Sequence, residues 1–271
     1  MDEPQQASET EIVEPEQHYS PRPIYTAILI GSIAVVFAAQ FLFGDATKLG
    51  AINLLVGDER SLIAAGFVKP LFIHNHEYWR ILTGATVHGG FIHVIMNCYA
   101  FWMFGKLCEL LSNRAHMAIV FLLSCIAGNL LSLYFLPQDA SVGASGGIVG
   151  LLGYVTVYAF RRRRFVTAEF RKSLLVNIGL LAVIGLILMN VVDNYGHLGG
   201  LIAGIVYALI QVPSDEHVDP RRAGLITRVA GALSVAIFVV TCFASAVLIY
   251  NFRNVPLPEF VNAESSSSST R

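Results

Sequence analysis

The stretch Gly143-Ala-Ser145-Gly146-Gly147-Ile-Val-Gly150-Leu-Leu-Gly153-Tyr-Val-Thr-Val-Tyr-Ala-Phe160-Arg161-Arg162-Arg163-Arg164 decides the fold. It is apolar or small for the length of a helix and then ends in four arginines. Soluble helices alternate a polar face with an apolar one; this segment has no charged face at all. A basic run placed directly after an apolar block reads as a stop-transfer or lipid-headgroup anchor, not as a nucleic-acid patch. The segment is therefore expected to cross a membrane from residue 145 to residue 160, although its glycines depress its hydropathy.

Six further blocks reach or approach the ~20 residues that a bilayer crossing needs. They run over 24–43, 83–104, 116–136, 173–190, 196–212 and 226–250. The chain of 271 residues is 55% hydrophobic and only 14% charged, against about 25% charged in soluble domains. Lys+Arg number 18 and Asp+Glu 19, so no overall basic field exists to hold nucleic acid. The expected fold class is an all-α polytopic membrane protein. Residues 1–23 are acidic (Asp2, Glu3, Glu9, Glu11, Glu14, Glu16), unlike the positive n-region of a signal peptide, so the first block reads as a span. That segment and the Ser-rich residues 251–271 are expected to be disordered tails, and 213–225 a cytoplasmic loop. Cys98, Cys108, Cys125 and Cys242 lie inside apolar blocks with no metal or disulfide spacing, and read as core thiols.

Seven spans put twelve of the eighteen Lys and Arg on the side of the N-terminus. The positive-inside rule then places the N-terminus in the cytoplasm and the C-terminus outside, with a bacterial plasma membrane as the expected setting.

Polar residues at membrane depth default to a functional reading. His93, Asn97, Ser145 and His197 all fall in the outer parts of their spans, with His88 near the start of the second. Ser145 lies sixteen residues above Arg161, and His197 sixteen above Pro213, roughly 24 Å in each case. The two therefore sit at matching depth. Small residues would let their helices touch: Gly146-x-x-x-Gly150 in one, Gly196-x-x-x-Gly200-x-x-x-Gly204 in the other. If those faces pack, a hydroxyl meets an imidazole, the requirement for a base-activated nucleophile. First-turn N–H groups of the span that opens at Ser145, with the Asn97 amide and a His93 ring N–H, supply an oxyanion site. Asp193 could orient His197 but reads as a loop residue, which leaves a Ser–His dyad. Gly231, in the last span, reads as lying outside this core.

In combination these residues resemble the rhomboid family of intramembrane serine proteases. The resemblance rests on Trp79-Arg80; His88-Gly-Gly-Phe-Ile-His93-Val-Ile-Met-Asn97; Gly105-x-x-x-Glu109; Gly143-Ala-Ser145-Gly146; and Gly196-His197-Leu-Gly-Gly200 with Gly204. It covers residues 24–212 and implies a six-helix core with one added C-terminal helix, the 6+1 layout. It implies Ser145 as nucleophile, His197 as general base, His93 and Asn97 at the oxyanion, and His88 near the cavity. Trp79-Arg80 would belong to a first-loop element lying partly in the bilayer. Single-pass transmembrane proteins would be the substrates, entering between spans two and five, with no metal or organic cofactor. The first outer loop, 44–82, is long, with Phe67–His76 reading as an insertion.

Other membrane-protease signatures fail. His76-Glu77 is followed by Arg80 where His-Glu-x-x-His needs its second histidine, and His74-x-His76 alone makes no metal site. Asp45 and Asp58 follow Gly44 and Gly57, but Leu42 and Leu55 break a Gly-x-Gly-Asp pattern. No Glu-Glu pair exists. A pseudoprotease that binds or chaperones membrane clients is the alternative function, though such proteins usually lack the serine or histidine kept here. A transporter would show inverted repeats and paired broken helices, and neither is seen.

Overall fold

The computed structural model describes residues 22–44, 59–215 and 217–256. Most of both expected tails, and the first part of the outer loop, lie outside these residues. Seven long helices carry the architecture: α1 (Ile24–Phe43), α5 (Phe91–Leu111), α6 (Arg114–Phe135), α7 (Ser145–Arg161), α8 (Ala168–Ile187), α9 (Asn194–Gln211) and α10 (Leu225–Phe252). The first loop adds short helices α2 (Glu59–Ala65), α3 (Lys69–His74) and α4 (Arg80–Thr83). Strands β1 (Phe67–Val68) and β2 (Ala140–Ser141) form one small antiparallel ribbon, with Phe67 opposite Ser141. Five helices (α1, α5, α6, α8 and α10) are long and apolar enough to cross a membrane. The chain is a polytopic all-α membrane protein.

Helix α7 is the hub, packed by α9, α6, α5 and α8. Twelve of its seventeen residues are buried. A helix surrounded by protein has no need of large lipid-facing side chains, which is why α7 can be glycine-rich and short; α9 buries only its glycines and Ala208 and exposes Leu198, Ile202 and Val206 on its other face. The glycines set the crossing. A Cβ at Gly200 would run into the carbonyl oxygen of Gly146 and lie 2.7 Å from its carbonyl carbon; a Cβ at Gly204 would run into the Gly150 carbonyl. The register advances by four residues on both helices, so α7 and α9 run parallel, with the second residue of α7 beside Gly200 and the first turn of α9 lying beyond the start of α7. On its other side, α9 meets α6 where Gly128 lies under the Gly196 carbonyl and Gly199 under that of Ala127.

Three expectations are corrected. The second span does not begin at residue 83. Residues 83–88 are buried but, beyond α4, not helical, and the helix starts at Phe91, after Gly90 with φ 121°. Irregular backbone at membrane depth is tolerated where protein covers it, so these apolar residues fill the core and not the lipid face. The fifth span starts earlier than residue 173, because the Thr167 hydroxyl accepts from Phe170 N and caps α8 there. Phe67–His76 is no insertion: Phe67 is fully buried and its strand is paired to the loop that leads into α7.

Two sequence features find structural partners. Gly105 admits Thr26 of α1 against α5, and Glu109 Oε1 accepts from Thr26 N and Oγ1, both at 2.7 Å. Pro23 gives α1 no side-chain cap, so Glu109 caps that helix from a neighbouring one. The arginine run divides its labour. Arg161 donates to the carbonyls of Leu209 and Val212 at the end of α9, and buried Arg162 donates to those of Asp215 and Val218. These two serve as caps for α9 and the following loop, whereas Arg163 and Arg164 are exposed. Gly231 is not peripheral either, since a Cβ there would strike the Ala115 backbone of α6.

Candidate active site

Ser145 is the first residue of α7, and no side chain caps that helix. Its first-turn N–H groups keep the positive end of the helix dipole at the site. His197 lies in the first turn of α9. Because the two helices are parallel and touch at Gly146 and Gly200, His197 Nε2 stands 2.8 Å from Ser145 Oγ. Both side chains line a cavity whose walls combine Asn129, Ser141 and Asp193 with Ala85, Cys125 and Val142. With Ser145 donating, the neutral imidazole must carry its proton on Nδ1. That atom is buried without a hydrogen-bond partner among the described residues, so the ring is held by packing and not by a third polar group.

Asp193 does not orient His197. It is the N-cap of α9: Oδ1 accepts from Gly196 N at 2.8 Å, while Oδ2 accepts from Ser132 Oγ and Ser141 Oγ at 2.5 and 2.6 Å.

His93 approaches from behind the loop. Its Nδ1 accepts from Gly89 N at 3.2 Å, which leaves the proton of the neutral ring on Nε2. A Cβ at Gly143 would sit 2.9 Å from that Nε2, so glycine is required for the ring to come this close. Gly143 also has φ 114°, a backbone region that other residues rarely adopt, and its N–H donates to the Gly84 carbonyl. Asn97 is one turn further down α5, and neither it nor His93 lines the cavity itself. Asn97 Nδ2 donates to the His93 carbonyl at 2.9 Å, which ties it to the turn of α5 that carries His93.

His88 precedes α5 in the buried loop. Gln40 of α1 grips its backbone in both directions, at 3.0 Å each, and its Nδ1 meets the Thr86 carbonyl at 3.2 Å. Its ring makes an edge contact with His93, centroids 5.2 Å apart. Trp79 and Arg80 brace the first loop: Arg80 lies over the indole, pairs with Glu77 at 2.6 Å and donates to the Gly66 carbonyl. That carbonyl is next to β1, and β1 holds β2, so the motif supports the loop entering Ser145.

Sequence reasoning passed over Asn129, Ser132 and Ser141. Asn129 was detectable as an amide inside an apolar span; it lines the cavity and donates to the Ile81 carbonyl at 2.6 Å. The two serines carry no such signal, since lone hydroxyls usually bond their own helix.

Residues 75–214, just over half of the chain, match the Rhomboid domain. The chain is 30% identical over 187 residues to the rhomboid protease GluP of Bacillus subtilis, covering 69% of this chain and 34% of that protein. It is 31% identical over 146 residues to the mitochondrial RHOMBOID-like protein 6 of Arabidopsis thaliana, covering 51% of this chain and 45% of the other. The inactive rhomboid protein 1 of Rattus norvegicus also matches, at 27% identity over 51% of this chain and 16% of its own length. The chain thus spans less than half the length of these relatives. With the apolar helices and the domain match together, the chain is a multi-pass membrane protein that belongs to the rhomboid family.

Proposed function

We propose that the protein is an intramembrane serine endopeptidase, with Ser145 as nucleophile and His197 as general base. One observation carries the reading: a serine hydroxyl and an imidazole nitrogen 2.8 Å apart, on the first turns of two parallel helices and lining one cavity. In this reading Ser145 Oγ attacks the scissile carbonyl and its proton passes to His197 Nε2. The oxyanion meets the uncapped N–H groups that open α7 and the Nε2–H of His93, with Asn97 holding the His93 carbonyl from below. His197 then protonates the leaving amine. Water attacks the acyl-enzyme, gives its proton to His197 and restores Ser145.

Single-pass transmembrane proteins are the proposed substrates, cleaved near the outer face by unwinding between α5 and α8. The loose packing of α8 supports that route, since only Leu174 and Gly185 of its twenty residues are buried. The family resemblance adds a small residue before the cut. The proposed setting is a bacterial plasma membrane with the N-terminus in the cytoplasm and the C-terminus outside. A pseudoprotease that chaperones clients would have no use for the Ser–His contact. A fluorophosphonate probe on the purified protein, read by peptide mass spectrometry, tests the reading. Modification of Ser145, lost in His197→Ala, supports a hydrolase; an unreactive Ser145 in folded protein supports the pseudoprotease.

A further inference from the structure

The Asp193 carboxylate joins three segments that flank the dyad. Through Gly196 N it holds the first turn of α9, one residue before His197. Through Ser141 Oγ it holds β2, four residues before Ser145. Through Ser132 Oγ it holds the end of α6, against which both are packed. The α9 side of this junction is reinforced by Tyr195, stacked on Phe135 of α6 with centroids 4.4 Å apart. Lys69, fully buried in the first loop, has an ammonium with no hydrogen-bond partner among the described residues. Burial pushes its pKa down, while Asp193 first and then Asp139 favour the charged form. A half-buried carboxylate is retained where hydrogen bonds compensate it, and three donors do so here.

We infer that Asp193 is a positioning residue, a clamp that fixes the separation of Ser145 and His197 by tying β2 and α6 to the start of α9. It is not a third catalytic group, because its three bonds run to Gly196, Ser132 and Ser141 and none to His197. The inference rests on the hydrolase reading. It separates two roles for one aspartate: a triad carboxylate fixes the tautomer of the histidine, whereas a clamp fixes helix ends.

The test compares Asp193→Ala, Asp193→Asn and the double variant Ser132→Ala/Ser141→Ala in purified full-length protein. The rate of fluorophosphonate labelling at Ser145 is measured well below each variant's melting temperature, with kcat and KM for a transmembrane substrate in liposomes. Asp193→Ala should lower labelling and kcat together by about 100-fold, the effect of a ~1 Å misplacement of reacting groups, with KM little changed. Asp193→Asn keeps an oxygen for Gly196 N and an amide for the serine hydroxyls, so it should recover to within about 10-fold of wild type, one kcal-scale hydrogen bond down. The double serine variant should reproduce the loss with Asp193 intact.

Wild-type labelling rates in folded Asp193→Ala and in the double variant, with only the melting temperature lowered, would overturn the clamp and leave a structural cap. If Asp193→Asn is as impaired as Asp193→Ala, the clamp is overturned in favour of a charge acting on His197. Cleavage by Ser145→Ala overturns Ser145 as the nucleophile of the proposed serine hydrolase, and the clamp with it.

Discussion

Replacing Gly200 by alanine should uncouple the site from the fold. The added Cβ would lie 2.7 Å from the Gly146 carbonyl carbon and 3.1 Å from its Cα, against ordinary contacts of 3.4–4 Å. The obstacle is helix backbone on both sides, so no side chain can turn away. Relief requires α9 and α7 to part by about 1 Å, and overpacking of this kind costs roughly 1–3 kcal/mol of stability. Gly146 directly follows Ser145, and Gly200 lies one turn below His197, so the separation passes straight to the dyad. A displacement of that size at reacting groups is worth about 100-fold in rate. The assay is cleavage of a transmembrane substrate in liposomes, with fluorophosphonate labelling and a thermal melt on the same preparations. Gly200→Ala should lose about 100-fold in both reactivity measures, and Gly200→Val more. Gly179→Ala in α8 is the control, because a Cβ there meets nothing within 4 Å. It should be neutral or stabilising by up to about 1 kcal/mol. Gly231 does not qualify as a control, given its contact with Ala115. Full activity and an unchanged melt for Gly200→Ala would refute the glycine crossing as the device that joins Ser145 to His197.

Three further outcomes are expected. Reporter fusions after Arg164 and after Val255 should fall in opposite compartments, the first cytoplasmic; matching compartments would put the number of crossings between them wrong by one. Glu109→Ala leaves the Thr26 N–H and hydroxyl unpaired in a buried junction and should lower stability by about 2–3 kcal/mol, with Glu109→Gln much milder; equal melts for both variants would deny the cap. Arg162→Ala removes donors to the Asp215 and Val218 carbonyls and should cost about 2 kcal/mol in the melt while leaving the specific activity of folded protein unchanged; a loss of activity without a loss of stability would show a different role.

The class of the fold was legible because lipid imposes a length on apolar blocks, and α1, α6, α7 and α9 lie within two residues of their expected starts. The start of α5 was not, because hydropathy scores Ala85 and Val87 alike whether lipid or protein surrounds them. Gly89-Gly90 was the signal against a helix there, and it competed with an unbroken apolar run. Ser145 and His197 could be paired from sequence because four-residue glycine spacing on two helices fixes a shared face and depth. Asn97 and Asp193 show where such reasoning ends. Spacing places each near the site, but only the directions of their hydrogen bonds show one supporting His93 and the other bridging Ser132 and Ser141. The first loop was the least legible, since β1 finds β2 more than seventy residues away with two residues of strand on each side.

The central claim is that Ser145, activated by His197, hydrolyses peptide bonds within the membrane. The most direct measurement is proteolysis of a single-pass substrate by the purified protein in liposomes, with product masses determined for wild type, Ser145→Ala and His197→Ala. The account predicts a defined cut near the outer end of the substrate segment for wild type, and no product from either folded variant. The same cut made by Ser145→Ala would contradict it.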